Sequence, residues 1–183
     1  IIKTICDLSF GVIEESAIKE EHSIYPLVSF IAKSLPDAKV VPLILKNSIK
    51  DKEMDELIMV LEKELPKDTV IVSSIDFSHY QPSQVSEFHD ELSKAVIKNF
   101  DFARLSKLEI DSTPSLYVLL KLMEKFNARN PVYEMYDNPG QTSHYSVWFG
   151  INTSHLQEGE HKGGGLASVL FFGDMMLDRN VAG

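Results

Sequence analysis

Residues 39–74 constrain the fold most. KVVPLILK at 39–46 is a short apolar run, and TVIVSS at 69–74 is a second one, continuous and rich in β-branched residues. Apolar runs of this length read as strands, and a continuous one suits the doubly covered strands of a parallel sheet. Between them Met54, Leu57, Ile58, Leu61 and Leu65 recur at helical spacing over 51–65, with Asp51 as N-cap and Pro66 as stop. Strand, helix and strand in that order predict a right-handed βαβ unit. Pro42 has no N–H to give a ladder, so the first strand is expected at an edge or to start irregularly.

The remaining chain keeps the alternation. Ile24, Leu27, Val28, Ile31 and Leu35 share one helical face behind Ser23, which offers a cap; Pro26 fits the first turn and Pro36 ends the helix. Pro82–Asn99 reads as a helix with Val85, Phe88, Leu92, Ala95 and Val96 inward and His89 exposed. A shorter helix is expected over 102–108. Thr113 and Pro114 read as N-cap and first helical residue of a helix running to about Phe126. VYEMY at 132–136 and YSVWFGI at 145–151 are strands around the turn DNPGQ. Residues 1–20 give neither period. The class is α/β, with a three-layer αβα sandwich the expected architecture.

Composition narrows the function. The 183 residues are 44% hydrophobic and 25% charged, a globular profile. A net charge of -9 argues against nucleic acid as a partner, because phosphate binding needs a basic surface. No window approaches the ~18 apolar residues of a membrane span. Cys6 is the one cysteine, which excludes an internal disulfide and fits a reducing, cytoplasmic setting. LQEGEHKGGG at 156–165 reads as a linker, so residues 1–155 are expected to be one domain and 166–183 the start of another. Ile1 at the head and a fresh apolar strand at the tail suggest a piece of a longer chain.

Chemistry concentrates in SSIDFSHY at 73–80. The C-terminal edge of a strand is where open α/β sheets bind ligands. Asp76 beside His79 suits general acid/base work, since a carboxylate fixes an imidazole's tautomer and raises its basicity. A capped turn with a structural histidine is the plainer alternative. Glu20-Glu21-His22-Ser23 precedes a helix; its acids suit a helix N-terminus, and His22 is left over as a candidate site residue. His144 reads as structural, and His155 and His161 as solvated linker residues. No CxxC, HExxH, GxSxG or P-loop is present.

EEHSIYPLVSFIAKSLPDAKVVPLILK followed by VIVSSIDFSHY resembles the Memo-like family, which includes AmmeMemoRadiSam system protein B. The resemblance covers roughly residues 18–152. It implies the αβα sandwich shared with class III extradiol dioxygenases. It also implies His79 with Asp76 as an acid/base wall, His22 close to the substrate, and non-haem Fe(II) in the full-length protein. The chain departs from the family at its metal ligands. The family's N-terminal histidine loops have no match here. Its C-G-x-x-P cysteine falls on Ile110 in Ile110-Asp111-Ser112-Thr113-Pro114, leaving Asp111 as the neighbouring candidate ligand. Tyr25 stands where the family usually has a second glutamate.

The tail VLFFGDMMLDRNV resembles the opening of a poly-γ-glutamate/capsule synthesis metallophosphatase-like domain, in which Asp174 would bind metal. The expected function is metal-dependent redox chemistry on an unassigned substrate. The alternatives are a metal-free binding module for a small molecule or peptide, and an accessory domain of such a metallophosphatase.

Overall fold

The computed structural model describes residues 1–67, 69–137, 142–150 and 168–174, with backbone alone for 20, 134–137 and 168–174. Its helices are α1 (Ile2–Cys6), α2 (Glu15–Glu20), α3 (Tyr25–Ser34), α4 (Asp51–Glu64), α5 (Ser83–Asn99) and α6 (Thr113–Lys125), with a 3-10 helix at Phe102–Lys107. Its strands are β1 (Lys39–Leu45), β2 (Thr69–Ser73), β3 (Pro131–Asp137), β4 (His144–Phe149) and β5 (Ser168–Asp174). The class is α/β, as expected. The chain divides into two compact units, Ile1–Ile75 with Gly165–Gly183, and Asp76–Gly164. The boundary falls inside VIVSSIDFSHY.

In the first unit β1, β5 and β2 form a parallel sheet in that order. Strand, helix and strand follow as the sequence predicts, but β1 and β2 are not neighbours. β5 lies between them, pairing Lys39 with Ser168 on one side and Thr69 with Ser168 on the other. The segment expected to open a separate domain thus satisfies the facing backbone edges of both strands. Among the described strands β1 is an edge, which suits Pro42.

α4 buries Met54, Leu57, Ile58 and Leu61, the expected stripe. Its N-cap is Lys50 rather than Asp51, because Glu53 reaches back to accept the Lys50 N–H at 2.9 Å. Asp51 instead puts negative charge in the first turn, where the helix dipole favours it. α3 fully buries none of its residues; Ile24, just ahead of it, is the buried anchor. Ser23 does not cap α3. Its N–H and hydroxyl donate to Glu21 Oε1 at 3.0 and 2.9 Å, closing a local turn. α1 and α2 fill the stretch that showed neither period. Gly11 is needed there: a Cβ would sit 2.1 Å from the Ile5 carbonyl oxygen.

In the second unit the inward face of α5 differs from expectation. Ser86, Asp90, Ser93, Val96 and Ile97 are buried, while Val85 and Phe88 are 39% and 70% exposed. Hydrophobic spacing misplaced the face because its centre is a polar network around Asp90. His89, expected exposed, is half-buried, and its Nδ1 has no partner among the described residues. α6 is capped one residue earlier than expected, by Ser112 accepting the Ser115 N–H at 3.3 Å. It buries Leu116, Val118, Leu120 and Leu122 on all sides. β3 and β4 form an antiparallel hairpin with an irregularity between Tyr133 and Met135.

The Tyr133 hydroxyl donates to the Lys94 carbonyl at 3.0 Å. Burial, with the Glu91 charge adding to it, pushes this phenol up to about 12 from 10.0. Native protein therefore keeps a proton that the unfolded chain loses between those values. The stability linked to Tyr133 is fully present below pH 10.0 and is lost as pH rises through about 12. In urea titrations across that window, Tyr133→Phe is expected to lose stability less steeply than wild type. Equal slopes would remove Tyr133 as the cause.

Candidate functional site

The site lies in the second unit and is built by two short segments running antiparallel. The Phe77 N–H donates to the Ser143 carbonyl and the Ser143 N–H to the Ser78 carbonyl, both at 3.1 Å. His79 and Thr142 continue the pairing as an antiparallel bridge. Phe77 is buried and packs edge-on against Tyr145, ring centroids 4.6 Å apart. This apolar contact anchors the segments from one side.

Asp90 of α5 locks them from the other. Its side chain is 1% exposed. Oδ1 accepts the Ser78 hydroxyl at 2.9 Å and Oδ2 the Ser143 hydroxyl at 2.6 Å. A buried acid is tolerated when its oxygens are satisfied in this way. Each serine is followed by a histidine, so one acid sets the position of two imidazoles.

Both histidines face Asp76. His79 Nε2 lies 3.3 Å from Oδ2, and His144 Nδ1 lies 3.6 Å from Oδ1. A carboxylate only accepts, so the His79 pairing places a proton on Nε2 and leaves a lone pair on Nδ1. Asp76 is itself held through its backbone. Its N–H donates to Asp111 Oδ1 at 2.9 Å, and its carbonyl accepts the Asp111 N–H at 3.1 Å. Behind His79 the chain turns through Tyr80 at φ 51°, a left-handed conformation that few non-glycine residues adopt. The arrangement suits proton transfer: a carboxylate between two imidazoles, with side chains 20% (His79), 41% (Asp76) and 44% (His144) exposed.

The sequence-derived candidates meet this geometry unequally. Asp76 and His79 come together. Asp111 joins them, binding the Asp76 backbone. His22 belongs to the first unit, where it is exposed ahead of α3. Asp174 ends β5, but its side chain lies outside the described residues, as do His155 and His161. Among the described residues no three His, Cys, Asp or Glu side chains group as metal ligands. Ile110 offers no donor atom. A cavity of about 370 Å³ in the first unit is lined by Ile5, Phe10, Ile18, Leu43 and Leu57 among others. It contains none of the candidate residues, and its walls are mainly apolar.

The sequence makes His144 structural and does not single out Ser143 or Asp90. The tripeptide Ser-His-Tyr occurs at 78–80 and again at 143–145, and that repetition was the available signal. Asp90 was hidden on a helix face that apolar spacing assigned outward.

The sequence profile of a family described as Memo-like protein matches residues 2–145. A MEMO1 family protein of Pyrobaculum aerophilum is 27% identical over 137 residues, covering 70% of this chain and 49% of the relative. A MEMO1 family protein of Thermococcus onnurineus is 36% identical over 119 residues, covering 58% of this chain and 40% of the relative. The chain thus spans half or less of the length of these curated relatives. No solved structure matches.

Proposed function

The chain belongs to the Memo-like family, and from that premise we propose that Asp76 and His79 form the acid/base wall of a small-molecule site. The observation that carries the reading is the 3.3 Å contact between His79 Nε2 and Asp76 Oδ2. That contact leaves Nδ1 to take a proton from a bound substrate, with Asp76 compensating the charge that forms. The whole protein completes a three-layer αβα sandwich. Iron is given no step. Among the described residues no three His, Cys, Asp or Glu side chains group as metal ligands, and Ile110, at the position where the resemblance implies a cysteine, has no donor in its side chain.

The test is a ligand-observed NMR screen of phenolic, catecholic and carboxylic fragments against the whole protein. Wild type is compared with His79→Gln and Asp76→Asn. A set of fragments is expected to bind wild type and to weaken about tenfold, or about 1.4 kcal/mol, in either variant. Fragments that bind all three proteins equally would sink the reading. A second reading, a metal-free binding module, rests on Ile110 and predicts peptide binding that survives both substitutions.

A further inference from the structure

The cavity of the first unit takes no part in the chemistry above, yet its volume of about 370 Å³ falls in the range of small-molecule sites. Its walls come from the turn after α1, from α2, from the C-terminal half of β1 and from the first turns of α4. In open α/β sheets the carboxyl ends of strands are where ligands collect. The turn after α1 is tied down: the Leu8 N–H donates to the Ile5 carbonyl at 3.1 Å and the Gly11 N–H to the Leu8 carbonyl at 3.0 Å. An apolar cavity of about 150 Å³ already admits benzene, so this one has room for a ring with a short chain.

The charges at the wall decide which head group such a ligand carries. Glu14 and Glu53 line the cavity, and Lys46 is the only cation among the described lining residues. Lys46 is exposed, which leaves its ammonium hydrated on a flexible stem. Glu53 is half-buried, and only one of its oxygens is used: Oε2 accepts the Lys50 N–H at 2.9 Å, while Oε1 has no partner among the described residues. Asp51 and Glu53 both stand in the first turn of α4, so its dipole is already answered by two negative charges. Glu14 is exposed and accepts the Ser16 hydroxyl.

We propose that this cavity binds a compact apolar amine. The hydrocarbon body lies against Ile5, Phe10, Ile18, Leu43 and Leu57, and the ammonium donates to the open oxygen of Glu53. The contact is charge-assisted and stronger than a neutral hydrogen bond. Anionic ligands of the same shape meet two carboxylates and are rejected. The site is independent of the acid/base reading of Asp76 and His79, which belong to the other unit.

The test uses the whole chain with ¹³C-methyl labels on isoleucine and leucine, titrated at neutral pH with phenethylamine, phenethyl alcohol and hydrocinnamate. The three probes share a ring and differ in head group. Phenethylamine is expected to shift the methyls of Ile5, Ile18, Leu43 and Leu57 with a Kd of about 10 mM or below, as suits a ligand of this size. The alcohol and the carboxylate are expected to bind at least about threefold more weakly. Glu53→Gln keeps an oxygen for the Lys50 N–H and removes the charge. It is expected to weaken the amine at least about threefold and to leave the alcohol unchanged. Ala17→Phe fills the cavity and is expected to abolish binding of the amine. Where Ala17→Phe disturbs the methyl spectrum as a whole, Glu53→Gln carries the test alone. Absence of methyl shifts with phenethylamine overturns the proposal. So does a preference over the alcohol or the carboxylate of less than about threefold, or a preference that Glu53→Gln leaves intact. Amine binding that persists in a folded Ala17→Phe protein lies elsewhere and overturns it equally.

Discussion

Asp90→Ala is expected to destabilise the second unit by about 3–5 kcal/mol, the cost of two lost hydrogen bonds to a charged group and two stranded hydroxyls. The reasoning starts from burial. Ser78, Ser143 and Asp90 are each at most 1% exposed, so water cannot replace the missing acceptors. Alanine removes both oxygens at once and leaves a void beside them. The loss also reaches the site, because Ser78 and Ser143 immediately precede His79 and His144. Unfolding can be followed by fluorescence of Trp148, the single tryptophan, which lies in the second unit. Hydrogen exchange of the Phe77 and Ser143 amides reports whether the paired segments open. Asp90→Asn keeps the volume and one acceptor and is expected to lose less. A loss below about 1 kcal/mol in Asp90→Ala, the range of an ordinary neutral hydrogen bond, would show that the clamp is not what holds the segments.

Leu120→Ala is expected to cost about 2–5 kcal/mol, the span for truncating a buried leucine when the surroundings collapse only in part. Leu120 is 0% exposed at the middle of α6, with Val118 and Leu122 equally enclosed. A helix covered on every side has little freedom to shift into the void. Leu120→Met keeps the volume and is expected to cost less than about 1.5 kcal/mol. Phe88→Ala on α5 serves as the contrast. Phe88 is a larger residue but is 70% exposed, so its truncation is expected to change stability by no more than about 0.5 kcal/mol. Urea midpoints read by Trp148 fluorescence rank the three. If Phe88→Ala proved as costly as Leu120→Ala, the orientation of α5 would be wrong.

That contrast also marks where sequence patterning stops. On α4, apolar spacing identified Met54, Leu57, Ile58 and Leu61 correctly, because that face is apolar throughout and burial follows hydrophobicity. On α5 the same rule turned the helix outward. Its buried centre is Asp90 with Ser86 and Ser93, and the burial of Asp90 follows hydrogen bonding to residues 12 and 53 positions away. No local period reports such partners.

The sequence by itself determined the α/β class, the position of nearly every described helix and strand, and the pairing of Asp76 with His79. These depend on residues near one another in the chain: apolar periodicity, prolines at element ends, and a three-residue spacing between acid and imidazole. Tertiary structure decided the rest. It set β5 between β1 and β2, because strand order is fixed by which backbone edges meet. It brought His144 onto the free oxygen of Asp76 and turned Asp111 to the Asp76 backbone. Contacts of that kind span tens of residues, and only the folded chain brings their partners within reach.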